Sequence, residues 1–138
     1  MAPPDGPAEW TFPADPGAVR TARAVVRETL RSWHLDPVSD VTVLLVSELV
    51  TNSLRYAAGP IGLRLSRVPA TGPPAPTAAA ALRVEVSDPL PDPPCLRFAG
   101  PQDEGGRGLQ MVACAARSWG SLPGHGGKTV WFELALLG

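Results

Sequence analysis

Leu45-Val46-Ser47-Glu48-Leu49-Val50-Thr51-Asn52-Ser53-Leu54-Arg55-Tyr56-Ala57 sets a carboxylate and a carboxamide among apolar neighbours. Residues four apart share one side of a helix, so Glu48 and Asn52 are adjacent there, with Arg55 close to the same line. Upstream, Asp36-Pro37 reads as an N-cap and first helical position, and Gly59 as the stop beyond Ala58. The result is a helix of roughly six turns over 37–58. Val43, Val46, Val50 and Leu54 form one apolar stripe, whereas Val41, Leu44 and Leu45 share the other side with Glu48 and Asn52. The helix is therefore expected to be covered on both sides. A half-buried carboxylate without partners is costly, which points the polar pair at a ligand cleft rather than a closed core. Such a pair could hold a hydrated cation and its phosphates.

The 138 residues suffice for one domain with a real core. A formal net charge of -1 provides no basic footprint for nucleic acid, and no run of about 18 apolar residues is present to span a membrane. Met1 to Glu9 lacks the basic and apolar regions of a signal peptide. Cys95 and Cys114 suggest neither a disulfide framework nor a metal motif, so a cytoplasmic protein is expected.

Proline accounts for 17 of the 138 residues, more than double the usual ~5%, and its clusters mark the architecture. Residues 1–8 read as a disordered tail and 9–138 as the single domain. The Pro/Ala-rich stretch 69–81 lies between two strand-like runs, Ile61 to Arg67 and Leu82 to Ser87, and reads as a long hairpin loop. Pro89 to Pro94 ends the second run, since proline cannot donate to a ladder.

The remaining elements follow from periodicity. A strand is expected near Trp10 to Phe12, then a helix over 16–33 with Val19, Ala22, Val26 and Leu30 in a stripe. A short helix through Leu109 to Ala116 precedes two closing strands, near Arg117 to Pro123 and Lys128 to Leu136. The last alternates Val130, Phe132, Leu134 and Leu136 against Thr129, Trp131, Glu133 and Ala135, as a sheet covered on one face should. Helices on one face of a mostly antiparallel mixed sheet make an α+β two-layer sandwich.

Three further spots carry chemistry. Asp88 ends a strand, where a carboxylate can accept from an exocyclic amine such as that of adenine, or can make a local turn. Gly105-Gly106-Arg107-Gly108-Leu109 leads into a helix, where backbone N–H groups can meet phosphate. It is neither a P-loop nor a Rossmann fingerprint. Gly127-Lys128-Thr129 opens the final strand, as hairpin residues or as ligand contacts.

In this order and spacing the four spots resemble the GHKL ATPase superfamily, which includes gyrase and histidine-kinase catalytic domains. Within it, the anti-sigma factor serine/threonine kinases of the RsbW and SpoIIAB type look most similar. Glu48 to Ala57 resembles that family's N box, Val86-Ser87-Asp88 its G1 box, Gly106-Arg107-Gly108-Leu109 its G2 box, and Gly127 to Phe132 its closing strand. The likeness spans residues 9 to 136. It implies a Bergerat fold binding ATP and Mg²⁺ under a lid formed by residues 89–105.

By resemblance, Asn52 matches the Mg²⁺ ligand and Glu48 the carboxylate that activates the attacking hydroxyl. Arg55, Tyr56, Gly106, Arg107, Gly108 and Leu109 match positions near the phosphates. Asp88 matches the adenine-reading carboxylate, and Thr129 the threonine near the adenine. The implied activity is an ATP-dependent kinase that phosphorylates a small antagonist protein and binds a sigma factor, as a homodimer. The rival is a regulatory module that binds ATP and protein partners without phosphoryl transfer. One departure stands out: the G1 box usually runs DxGxG, and here Asp88 is followed by Pro89-Leu90-Pro91-Asp92, without either glycine.

Overall fold

The computed structural model describes residues 6–56, 59–69, 79–89, 112, 115–124 and 127–136. Strand β1 (Ala8–Phe12) leads into helix α1 (Gly17–Ser32), a turn of 3-10 helix (Asp36–Val38) and helix α2 (Ser39–Tyr56). The hairpin β2 (Ile61–Pro69) and β3 (Ala79–Asp88) follows, and β4 (Ser118–Gly124) and β5 (Gly127–Ala135) close the fold. The strands form one sheet in the order β1-β2-β3-β5-β4. Every pairing is antiparallel, so the mixed character expected from sequence does not occur among the described strands.

Two periodicities build the core. Along β3, Leu82, Val84 and Val86 are buried, and along β5 Val130, Phe132 and Leu134, with the intervening residues on the open face. Helix α1 lays Ala18, Ala22, Val26 and Leu30, four apart, against this layer. The first of these is Ala18 and not the expected Val19, which is only partly buried. Helix α2 adds Val43, Leu45, Val46, Leu49 and Val50. Each fully buried Val, Leu or Phe contributes about 1.5–3 kcal/mol. The two helices are also strapped together, since Arg23 Nε donates to Ser47 Oγ at 2.7 Å and that hydroxyl donates to the Val43 carbonyl at 2.7 Å.

Several expectations need correction. Leu44, placed on a covered side of α2, is 47% exposed. Asp36 makes no side-chain cap; it opens the 3-10 turn whose cap position is Leu35. Strand β1 begins at Ala8, inside the stretch assigned to a tail, and the hairpin strands run on to Pro69 and from Ala79, inside the assigned loop 69–81. Residues 70–78 lie outside the described residues. Of the short helix expected over 109–116, Val112 and Ala115 are described as helical, and the Ala116 N–H reaches the Val112 carbonyl at 2.8 Å.

The misplaced cap has a local cause. The Leu35 N–H bonds the Leu30 carbonyl at 2.8 Å and the His34 N–H bonds that of Arg31 at 3.1 Å, a Schellman closure with Leu30 and Leu35 both packed on the core. The left-handed position belongs to His34, at φ 60°, where glycine would be unstrained. His34→Gly is therefore expected to raise unfolding stability by about 0.5–1 kcal/mol, after allowing for glycine's greater freedom when unfolded. Urea denaturation measures it, and a destabilised variant would mean that the imidazole contributes more than its backbone costs.

The open face carries a charge ladder. Arg64 lies 3.5 Å from Glu9 and 3.8 Å from Glu85; Arg83 lies 3.8 Å from Glu85 and 3.0 Å from Glu133; Arg117 reaches Glu133 at 3.1 Å. Arg83 also stacks over Trp131, 4.2 Å from the ring centroid. Burial pushes the Glu133 carboxyl up, but hydrogen bonds from Arg83 and Arg117, with their charges, outweigh it and hold the group below the ordinary 4.5. A carboxyl lowered by folding stabilises fully above its unfolded pKa, and that contribution is lost as pH falls through the lowered folded value. Glu133→Gln should thus be less stable than wild type at neutral pH and lose less stability on acidification below 4.5. Thermal melts across that range would show it, and parallel pH profiles would refute it.

Candidate functional site

Strand alternation decides what faces the helices at the end of the sheet. With Leu82, Val84 and Val86 inward on β3, Asp88 is the next inward position, and its register partner on β5 is Lys128. Lys128 Nζ lies 3.0 Å from Asp88 Oδ1 and 3.2 Å from Oδ2. From α2, Ser53 Oγ donates to Oδ2 at 2.8 Å. The lysine side chain is 8% exposed and the aspartate 4%, so the pair is desolvated. Such burial is tolerated because each charge meets the other and the carboxylate gains a further donor. Three elements, α2, β3 and β5, thereby converge on one carboxylate.

The same alternation corrects the placement of Thr129. It lies on the opposite face from Asp88, where its hydroxyl is 2.8 Å from that of its register partner Ser87. The residue of the final strand that meets Asp88 is Lys128. Close backbone packing frames this corner: a Cβ on Gly127 would overlap the Asp88 carbonyl oxygen, and one on Gly59 would come within 2.6 Å of Pro89 Cγ. Only glycine fits at either position.

Helix α2 carries the other polar residues. Asn52 precedes Ser53 and is half-buried; its Oδ1 is shielded from solvent and has no hydrogen-bond partner among the described residues. An unpaired buried carbonyl oxygen costs about 1–3 kcal/mol, so its retention needs a reason. Glu48, one turn earlier, is half-buried and makes no hydrogen bond or ion pair among the described residues. Arg55 is exposed in the last turn, which ends at Tyr56. Gly106, Arg107, Gly108 and Leu109, with lid positions 90–105, lie outside the described residues.

The donor set fits Mg²⁺ in its usual mode. That ion takes one or two protein oxygens and leaves the rest of its octahedron to water and phosphate, and the Asn52 Oδ1, without a partner among the described residues, is an oxygen free to take such a place. No cluster of three or more His, Cys, Asp or Glu that could cage a metal occurs among the described residues.

Sequence reasoning named Lys128 only within the Gly127-Lys128-Thr129 spot, without its pairing to Asp88, and missed Ser53. The signal for Lys128 was the parity of its strand: Val130, Phe132 and Leu134 are inward, so Lys128 is inward and Thr129 outward. Ser53 had no comparable signal, because its role depends on how α2 docks on β3.

Residues 12–134 match the family model described as a histidine kinase-like ATPase domain. No curated protein matches the chain. Among solved structures, the RsbU and RsbW domains of Rv1364c from Mycobacterium tuberculosis share the fold, with a TM-score of 0.64 at 21% identity. The match covers 94% of this chain and 32% of that one. With a family model spanning nearly its whole length, and with two helices on one face of an antiparallel sheet in keeping with the GHKL likeness, the chain belongs to the histidine kinase-like ATPase domain family.

Proposed function

We propose that this domain binds Mg²⁺-ATP between α2 and the β3–β5 end of the sheet and transfers the γ-phosphoryl group to a serine or threonine of a small antagonist protein. In this reading it also binds a sigma factor and acts in the cytoplasm as a homodimer. The observation that carries the proposal is the Oδ1 of Asn52, shielded and without a partner among the described residues, one turn from the Glu48 carboxylate and next in sequence to the serine that touches Asp88. Family membership supports ATP as the ligand, and the RsbW likeness supports the regulatory setting.

Each residue then has a task. Asn52 would hold the Mg²⁺, which when bound offsets the charge of the phosphates. Glu48 accepts the proton of the substrate hydroxyl as its oxygen attacks the γ-phosphorus and ADP departs with the bridging oxygen. Asp88 is the acceptor for the adenine amine. Arg55, Tyr56, Gly106, Arg107, Gly108 and Leu109 belong to the phosphate end, and Thr129 is reassigned to the open face.

The ion pair on Asp88 favours a second reading, a module that binds partners without transfer, because the base-reading carboxylate is already engaged. One experiment separates the two. Labelled ATP and Mg²⁺ are incubated with the protein and a candidate antagonist, beside a nucleotide titration on the same sample. Label on an antagonist hydroxyl supports the kinase; nucleotide and partner binding without label supports the module. Absence of nucleotide binding at millimolar concentrations rejects the kinase.

A further inference from the structure

Lys and Arg together number 12, and Lys128 is the chain's single lysine. It is not a surface cation. Its ammonium bonds both oxygens of Asp88, one of which also accepts from Ser53. A carboxylate offers about four acceptor positions, so at least three are already used. These are the acceptors that an adenine amine needs. The backbone gives little room for Asp88 to turn elsewhere, since its carbonyl rests against Gly127 and the following Pro89 against Gly59.

We propose that Lys128 is a built-in competitor for the base-reading carboxylate: a purine base gains Asp88 only in molecules whose lysine has withdrawn. The inference rests on the ATP-binding reading above. Apparent affinity falls in proportion to the fraction of molecules in the open state, so an open fraction of about one in ten weakens the base contact about tenfold. The competition is for the base contact of that reading, not for its phosphate contacts. Wild-type protein therefore holds nucleotides chiefly by their phosphates and discriminates poorly between bases.

The test titrates ATP, GTP and inorganic tripolyphosphate, each with Mg²⁺, into wild type, Lys128→Thr and the double variant Asp88→Asn/Lys128→Thr. Expected are similar affinities of wild type for all three ligands and a gain of about tenfold or more for ATP alone in Lys128→Thr. The double variant should show no such gain, and because it lacks both charges it also shows that the corner folds without them. If Lys128→Thr binds ATP no better than wild type while tripolyphosphate still binds, the competitor role is overturned and the nucleotide reading survives. If no ligand binds any variant, both fall. A second measurement needs no variant, because reductive dimethylation read by mass spectrometry reports on a single lysine. Lys128 of the folded wild type should react at least about tenfold more slowly than the N-terminal amine, as a paired amine that must first open would. Equal rates would overturn the proposal.

Discussion

Asp88→Ala lowers the free energy of unfolding by about 3–5 kcal/mol, because it removes the carboxylate that the buried Lys128 ammonium bonds through both oxygens. The loss is larger than for a surface pair, where the median is about 0–1 kcal/mol, since this pair is almost fully shielded. A useful contrast is Asp88→Leu combined with Lys128→Met, which removes both charges and keeps most of the volume. That double variant should recover much of the loss, as replaced buried pairs often do. Urea denaturation of the three proteins decides the matter. A loss below about 1 kcal/mol for Asp88→Ala would mean that water reaches the ammonium, and the description of a desolvated corner would be wrong.

Glu48→Ala retains nucleotide and partner binding and loses phosphoryl transfer by about a hundredfold or more, the range for removal of a general base. Asn52→Ala behaves differently, losing the Mg²⁺-dependent part of nucleotide binding. It also removes an unsatisfied buried oxygen, so its stability without ligand should not fall as that of Asp88→Ala does. Transfer of labelled phosphate, calorimetry with and without Mg²⁺, and a melt on the same preparations give the three readouts. If Glu48→Ala transfers at the wild-type rate, Glu48 is only a helix carboxylate. If Asn52→Ala binds ATP equally with and without Mg²⁺, as wild type does not, the ligand assignment gains its clearest support.

Most of the fold was legible because its two periodicities are clean. Alternation in β5 and the four-residue stripe of α1 placed those elements within a residue or two of their observed bounds. Failures came where local signals compete. Asp36-Pro37 has the chemistry of a helix start, yet the tight reversal after α1 is closed by His34 and Leu35, and the chain enters α2 through a 3-10 turn. Candidate-site residues were legible to the extent that a helix repeat or a strand end exposes them, as for Glu48, Asn52 and Asp88. Thr129 lies one position off the inward face, because motif order carries no strand parity; the buried Val130 and Phe132 supply it. Ser53 depended on long-range docking, which no local pattern encodes.

The open-face ladder also protects the pairing of strands. A one-residue slip of any strand is forbidden by the core, because it would turn Leu63 and Leu65, or Val84 and Val86, toward water. A two-residue slip keeps inside residues inside, so the apolar alternation alone does not resist it. Arg64 opposite Glu85, and Arg83 opposite Glu133, supply the missing discrimination. A two-residue slip of β3 one way brings Arg83 against Arg64 of β2, and a two-residue slip the other way brings Glu85 against Glu133 of β5. Each such mismatch exchanges an attraction for a repulsion, a penalty of about 0.2–1 kcal/mol at each end of the exchange. The apolar face thus reads strand position modulo two, and the charged face resolves the remaining ambiguity, so that misregistered hairpins formed early in folding carry their own incentive to re-pair.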